Sequence, residues 1–263
     1  MYFKDKSIWI TGASSGIGKA LALALSTKSC NLIISSRSFE KLKAVKKACN
    51  NAAKIKIVKL DLEDYKSAPA VVEEAMACFG QIDLLINNAG ISQRSLIAET
   101  SIEVDKKLID VNYIGTVALT KALLPYFVRQ QSGHFVTVTS LMGKFGSPYR
   151  SGYCGAKHAL HGFFDVLRME HDKDHIKVTM ICPGFVNTDV SRNALTGDGS
   201  ALNKQDKATE KGLSPEVFAK KMLSAVENQK FEAYIGKKEV MGIYLKRFFP
   251  KLLHKVVLRS DVR

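Results

Sequence analysis

The sequence is short of acid. Its 263 residues hold 25 Asp and Glu against 39 Lys and Arg, a formal net charge of +14. Such an excess suits nucleic acid, anionic membrane or anionic substrates, and equally plain solubility, so its distribution matters more than its size. Cysteine is sparse and unpatterned: Cys30, Cys49, Cys78, Cys154 and Cys182 are odd in number and form no CxxC pair. That argues against a disulfide framework and for reduced thiols in a cytoplasmic-type compartment. Cys and His show no metal-ligand spacing, so no metal site is expected. No uninterrupted apolar run is long enough to span a bilayer. The N-terminal Met-Tyr-Phe-Lys-Asp-Lys enters a strand pattern almost at once, which leaves no room for a signal peptide. No internal repeat or low-complexity segment is found. A chain that is 46% apolar and 24% charged can bury one large core.

What is present is alternation. Apolar runs at 7–11 (SIWIT), 31–35 (NLIIS), 55–60, 83–87 (DLLIN), 134–140 (HFVTVTS) and 176–181 read as strands. Helical patterns separate them, at LALALS after the first run, after Ser38, at 69–79, at 104–131 and at 153–170. Ser38 offers an N-cap, with Glu40 in the first turn. This β-α-β-α order predicts an α/β fold: a single Rossmann-type doubly wound parallel sheet with helices on both faces. We assign residues 1–240 to one dinucleotide-binding catalytic domain and 241–263 to a C-terminal extension. The polar stretch 191–213 reads as a loop or mobile lid over a site.

The first strand runs into Thr11-Gly12-Ala13-Ser14-Ser15-Gly16-Ile17-Gly18. Glycine lets backbone pass close to a pyrophosphate, and the helix that follows points its free N–H groups at the phosphates. The spacing is G-x-x-x-G-x-G, not the commoner G-x-G-x-x-G. At the end of the second strand, NAD-selective sites usually place an acid for the ribose 2′-hydroxyl. Here stand Ser35-Ser36-Arg37-Ser38, with an arginine able to pair with a 2′-phosphate and serines able to bond it. NADP(H) is therefore the expected cofactor. Asp61-Leu62 after the third strand suits an adenine amine or a cap on the next segment. Asn87-Asn88-Ala89-Gly90 after the fourth strand allows close backbone approach, or forms an ordinary turn.

Tyr153 and Lys157 lie four residues apart on one helix face. A phenol is a poor base near neutrality, and a neighbouring ammonium lowers its pKa, giving an acid/base for an alcohol or carbonyl oxygen. Ser140, at the end of the preceding strand, is placed to hold that oxygen or to cap a turn. Asn112, polar amid apolar helical neighbours, reads as a buried polar role or a satisfied structural amide.

Taken in order, TGASSGIG from Thr11, NNAG from Asn87, Asn112, Ser140, Tyr153 with Lys157, and Pro183-Gly184 with Thr188 resemble the short-chain dehydrogenase/reductase family. The stretch KHALHGFFDVLRME from Lys157 is most similar to the subgroup around dehydrogenase/reductase member seven and the 11β-hydroxysteroid dehydrogenases. The resemblance implies a catalytic tetrad of Asn112, Ser140, Tyr153 and Lys157. Tyr153 would be the general acid/base, Ser140 the substrate orienter and Asn112 the holder of a relay water. Lys157 would bind the nicotinamide ribose and lower the Tyr153 pKa. It places Pro183, Gly184, Val186 and Thr188 at the nicotinamide end, and Arg37 at the basic position of NADP-preferring members. It also implies lipophilic alcohols or carbonyl compounds as substrates, and a homodimer or homotetramer through the Asn112 and Tyr153 helices. One departure is Gly155-Ala156 where the family often has Ala-Ser before the lysine, and it removes no catalytic group.

Leu141, Met142, Phe145, Pro148, Tyr149 and Phe185 flank the tetrad and form either an apolar pocket or core. Gln93 and Arg94 meet a polar substrate group or solvent. From Tyr244 apolar pairs recur every four residues, with Lys246, Arg247, Lys251, His254, Lys255 and Arg259 between them and Pro250 starting a new helical turn. This basic amphipathic pattern suits peripheral contact with an anionic membrane, or packing on the chain's own domain, across a dimer or over the substrate entrance. No base-reading motif accompanies the charge, so nucleic acid is not an expected partner. Two readings compete with the oxidoreductase: a non-catalytic NADP(H)-binding regulatory protein on the same fold, and a membrane-surface interaction protein using the tail.

Overall fold

Strands rich in Ile, Leu and Val, buried on both faces, are the mark of a parallel sheet covered by helices. The computed structural model describes residues 2–50 and 54–260. Among these lie β1 (Ser7–Thr11), β2 (Asn31–Ser36), β3 (Lys54–Lys59), β4 (Leu84–Asn87), β5 (Gly133–Val138), β6 (Ile176–Pro183) and β7 (Glu232–Ile235). They form one sheet in the order β3-β2-β1-β4-β5-β6-β7, and every neighbouring pair is parallel. The helices are α1 (Gly16–Leu25), α2 (Phe39–Ala48), α3 (Ala68–Ala77), α4 (Ile102–Ile109), α5 (Gly115–Gln130), α6 (Ser151–Glu170), α7 (Lys207–Glu210), α8 (Pro215–Glu227), α9 (Met241–Phe248) and α10 (Pro250–Arg259). None is long and apolar enough to cross a membrane.

Two core layers sandwich the sheet because successive side chains leave a strand on opposite faces. On β1, Ile8 and Ile10 face the layer of α1, α2 and α8, while Trp9 faces α3, α5 and α6. On β2, Leu32 and Ile34 take the first side and Ile33 the second. Each fully buried side chain of this kind contributes about 1.5–3 kcal/mol. The Trp9 indole N–H, which burial would otherwise leave unsatisfied, donates to Ser35 Oγ at 2.8 Å.

The structure departs from the sequence reading in four places. The periodicity at 104–131 is two helices joined by a π-helical turn, Asp110–Ile114. Helix α8 and strand β7 were not foreseen, although Ser214-Pro215-Glu216 is an N-terminal helix signal and Ser214 Oγ accepts from Val217 N. The 191–213 segment is a loop bordering the cleft, as read, but it also carries the short helix α7 and isolated bridges from Leu195 to Gln93 and Ala201 and from Leu213 to Val186. Strand β5 stops at Val138, two residues before Ser140.

The amino ends of the strands carry a separate polar set. Tyr2 Oη bonds His134 Nδ1 at 2.7 Å, His134 Nε2 bonds Thr179 Oγ1 at 2.9 Å, and Ser7 N donates to Asp83 Oδ2 at 2.7 Å. Burial pushes His134 down to about 3, with Lys6 and Lys177 adding to the effect, so its ring is neutral at physiological pH.

Candidate active site

Strand order reverses between β1 and β4, and the carboxyl ends of the strands open there into a crevice. One continuous cleft of about 860 Å³ occupies it. At its floor the β1–α1 loop turns at Gly12 (φ 66°) and Gly16 (φ 51°). A Cβ on Gly12 would lie 2.8 Å from Ala89 Cα, and one on Gly16 would lie 3.1 Å from Thr188 Cγ2, so only glycine keeps this cradle open. Ser15 sits at the N-cap of α1 and makes no side-chain cap bond. The first-turn N–H groups and dipole end of α1 therefore face the cleft beside Ser14, Ser15, Gly16 and Ile17. Gly18 does not line the cleft. A Cβ there would lie 2.3 Å from Gly12 O, so its glycine closes the loop on itself.

Thr11, to which no sequence pattern assigns a role, accepts through its hydroxyl from Asn88 N and Ala89 N, both at 3.0 Å. Asn88 Nδ2 in turn donates to Thr11 O at 3.0 Å and Gly12 O at 3.3 Å. This lattice pins the NNAG turn to the glycine loop. Ser36 and Arg37 line the far end of the cleft. Arg37 is exposed and makes no ion pair among the described residues. Lys41, in the first turn of α2, lines the same end, and among Lys43, Lys46 and Lys47 of that helix nothing local sets it apart. Asp61 and Leu62 border the cleft, and Asp61 Oδ1 also accepts from Glu63 N at 3.1 Å, so it caps as well. The arrangement fits a dinucleotide: a glycine cradle and helix end for a pyrophosphate, with Arg37 and Lys41 along the same cleft.

Asn112, Ser140, Tyr153 and Lys157 converge on the other half of the cleft. Asn112 occupies the centre of the π-helical turn and is fully buried. Such wide turns cluster at functional sites. Its Oδ1 accepts from Ile91 N and its Nδ2 donates to Ile91 O, both at 3.0 Å. Gly90 lies directly beneath, where a Cβ would come within 2.6 Å of Asn112 Oδ1. Ser140 N-caps a short 3₁₀ turn (Leu141–Gly143) and accepts from Met142 N at 3.1 Å. It is thus both cap and site residue. Lys157 is 4% exposed, and its Nζ donates to Val138 O at 3.0 Å, 5.8 Å from the centre of the Tyr153 ring.

The expected depression of the Tyr153 pKa is not found. Burial is the largest influence and raises the phenol above its usual value, against the pull of the Ser140 hydrogen bond and the positive Arg94 and Arg150. Burial also lowers Lys157 from 10.5 to about 8, weakly opposed by Cys182. The unfolded chain therefore binds the Lys157 proton more tightly. The resulting destabilisation is full below about pH 8 and fades as pH rises towards 10.5. Lys157→Met is expected to stabilise the cofactor-free protein at pH 7 by about 2 kcal/mol, the relief of the buried charge less the lost Val138 hydrogen bond. The gain should vanish at pH 10.5, and urea denaturation at the two pH values checks both.

Gln93 is fully buried, whereas Arg94 lines the cleft with its guanidinium engaged from behind. Arg94 Nε and Nη2 both reach Asp206 Oδ2, at 3.0 and 2.5 Å, and Arg150 Nη2 lies 3.7 Å from the same oxygen. Asp206 Oδ1 caps α7 by accepting from Thr209 N. Burial pushes the Asp206 carboxyl up, but the Thr209 and Arg94 bonds outweigh it and hold it below its ordinary range. Burial brings Arg150 down to about 10, with Arg94 adding repulsion and Asp206 opposing. Gln93 Oε1 accepts from Tyr153 N at 3.3 Å and so orients the start of α6.

The apolar half of the cleft takes Leu141, Met142, Phe145 and Phe185 as expected, while Pro148 and Tyr149 stand outside it. Leu245, Leu253, Val256 and Val257 from α9 and α10 complete its wall. Behind Lys157, His161, Cys182 and Glu232 bring possible ligand atoms within 4.8 Å of one another. The Lys144 ammonium already occupies the Glu232 carboxylate, and burial pushes the Cys182 thiol up to about 12. The chemistry is that of a neutralised ion network rather than a ligand set.

A cleft with a glycine cradle at one end and a Ser-Tyr-Lys set at the other defines a dehydrogenase or reductase. The sequence profile of the short chain dehydrogenase family matches residues 6–198, and the chain belongs to that family. It is 38% identical to the Dehydrogenase/reductase SDR family protein 7-like of Drosophila melanogaster, covering 98% of this chain and 81% of that relative. It is also 38% identical to the human Dehydrogenase/reductase SDR family member 7, covering 94% and 75%. A Burkholderia phymatum short chain dehydrogenase/reductase solved in complex with NAD superposes with a TM-score of 0.83 at 20% identity, covering 96% of each chain, and shares the fold.

Proposed function

We propose that the protein is an NADP(H)-dependent oxidoreductase that interconverts a lipophilic carbonyl compound and its alcohol. The observation that carries this is the continuity of one cleft, from Arg37 and Lys41 past the glycine cradle to Tyr153 and on into an apolar wall. A nicotinamide supplies or accepts the hydride. Arg37, Lys41 and Ser36 hold the 2′-phosphate, and Gly12, Ser14, Ser15, Gly16 and Ile17 the pyrophosphate. Asp61 and Leu62 flank the adenine. Asn88, Ala89 and Gly90 form the floor, with Pro183, Gly184, Val186 and Thr188 at the nicotinamide end.

In reduction, Tyr153 Oη donates its proton to the carbonyl oxygen. Its raised pKa suits that role, because the phenol is then fully protonated at neutral pH. Ser140 Oγ holds the same oxygen, and Lys157 Nζ stands beside the phenol to return a proton. Asn112 holds a relay water beside Lys157, and its side-chain amide, bonded to Ile91 N and O, fixes the π-helical turn in place. A purely regulatory NADP(H)-binding protein would not need Ser140, Tyr153 and Lys157 brought together in a cleft with an apolar wall.

The cofactor reading is tested by titrating NADPH and NADH against wild type and Arg37→Ala. The expected result is an NADPH preference that falls by about tenfold or more in the variant, since a charge-assisted hydrogen bond contributes about 1.5–3 kcal/mol. Equal or tighter NADH binding by wild type would sink it. We place the protein in a reducing compartment, consistent with five free thiols. We further propose a homodimer or homotetramer, supported by Val166 and Met169 exposed on α6 at 46% and 70%. Sedimentation of Met169→Glu should then show a smaller species than wild type.

A further inference from the structure

Past Pro183 the chain leaves β6, and Gly184 and Phe185 belong to no strand or helix. Irregular backbone has no ladder of its own, so its N–H and C=O groups must find partners elsewhere. Gly184 N donates to Ile235 O at 2.9 Å. Phe185 O accepts from Leu213 N at 2.9 Å, and Asn187 N donates to Leu213 O at 2.8 Å. The Phe185 N–H goes instead to a side chain: it donates to Glu239 Oε1 at 3.1 Å.

The same oxygen accepts from Lys237 N at 3.0 Å, so it also fixes the turn between β7 and α9. Its place is made by two glycines. A Cβ on Gly184 would lie 2.2 Å from Glu239 Oε1, and one on Gly236 would lie 2.7 Å from it. The carboxylate fits there because a glycine follows the last residue of β6 and another follows the last residue of β7. Glu239 is half-buried and lines the cleft beside Gly184, Phe185 and Val186. Met241, the first residue of α9, lines the cleft two positions further on. One oxygen thus ties the segment after β6 to the start of the apolar wall.

We propose that Glu239 is a positioning residue for the nicotinamide half of the coenzyme. Its carboxylate holds the peptide between Gly184 and Phe185, and so sets where Val186 and Thr188 meet the ring. The proposal rests on the reading of this end of the cleft as the nicotinamide site.

The test compares a coenzyme with the same nucleotide lacking its nicotinamide, by isothermal titration calorimetry. The pair is NADPH with ADP-ribose 2′-phosphate, or NADH with ADP-ribose, whichever coenzyme wild type holds more tightly. Glu239→Met keeps the length of the side chain and removes the acceptor. It should weaken the coenzyme by about tenfold, the order of one hydrogen bond to a charged group, and leave the nicotinamide-free nucleotide at wild-type affinity. Glu239→Gln retains an Oε1 that can accept from both N–H groups, and should restore most of the difference. Gly236→Ala acts from outside the cleft: its Cβ pushes the carboxylate aside, and the same selective loss should appear with Glu239 still in the chain.

Equal weakening of both ligands in Glu239→Met overturns the proposal. So does a lower urea midpoint with both affinities unchanged, since either result describes a role in folding alone. A Gln variant as impaired as the Met variant overturns it as well. The two readings fail in different ways. If wild type binds neither ligand, the cofactor reading fails and takes the proposal with it. If wild type binds both and the variants keep their ratio, only the positioning role of Glu239 is lost.

Discussion

Tyr153→Phe is expected to lower turnover by about 10²–10⁴-fold, the usual contribution of a positioned general acid. The ring fills the same space, so NADPH affinity and folding stability should stay near wild type. Steady-state reduction of a lipophilic ketone, beside fluorescence titration of the nucleotide, separates the two. The pH dependence has a definite sign. Reduction uses the protonated phenol, whose pKa burial raises, so the wild-type rate should be flat through neutrality and fall only on the alkaline side. Oxidation of the alcohol uses the phenolate and should rise over that same limb. A reduction profile that fell between pH 6 and 8 would contradict the assignment.

Asp206→Asn is expected to destabilise the fold by about 3–5 kcal/mol, because it leaves two buried guanidiniums with no charge to balance them. The Arg94 and Asp206 side chains are 8% and 2% exposed, so solvent offers little relief. Urea denaturation reads the loss. A second effect follows at the active site. Arg94 and Arg150 both pull the Tyr153 pKa down, and removing their counter-charge strengthens that pull. The alkaline limb of reduction should therefore begin at lower pH in this variant. An unaltered limb would mean that the cluster acts only in folding.

What could be read beforehand was whatever local pattern dictates. Strands β1 to β6 stood out because each is a short apolar run between turn-forming or polar segments. The start of α10 at Pro250 was legible because proline is tolerated in a first helical turn. Four-residue β7, beginning with Glu232, carries too little pattern to stand out. The π-helical turn at Asn112 keeps the apolar periodicity of its flanks and so reads as one helix. The Arg94–Asp206 pair joins residues 112 positions apart, and nothing local in either segment points to the other. For the same reason, spacing put Lys157 next to Tyr153 correctly but not the sign of the phenol's shift, which depends on everything packed around it.

The polar set at the amino ends of the strands has a consequence for how this molecule can change. Tyr2, His134 and Asp83 lie a full strand length from Tyr153, roughly 17–20 Å, and share no partner with it. Substitutions at the two ends should therefore add in free energy rather than couple. Robustness can be gained or lost at one rim while selectivity drifts at the other. A lineage built on this sheet can alter what it recognises without renegotiating how it folds.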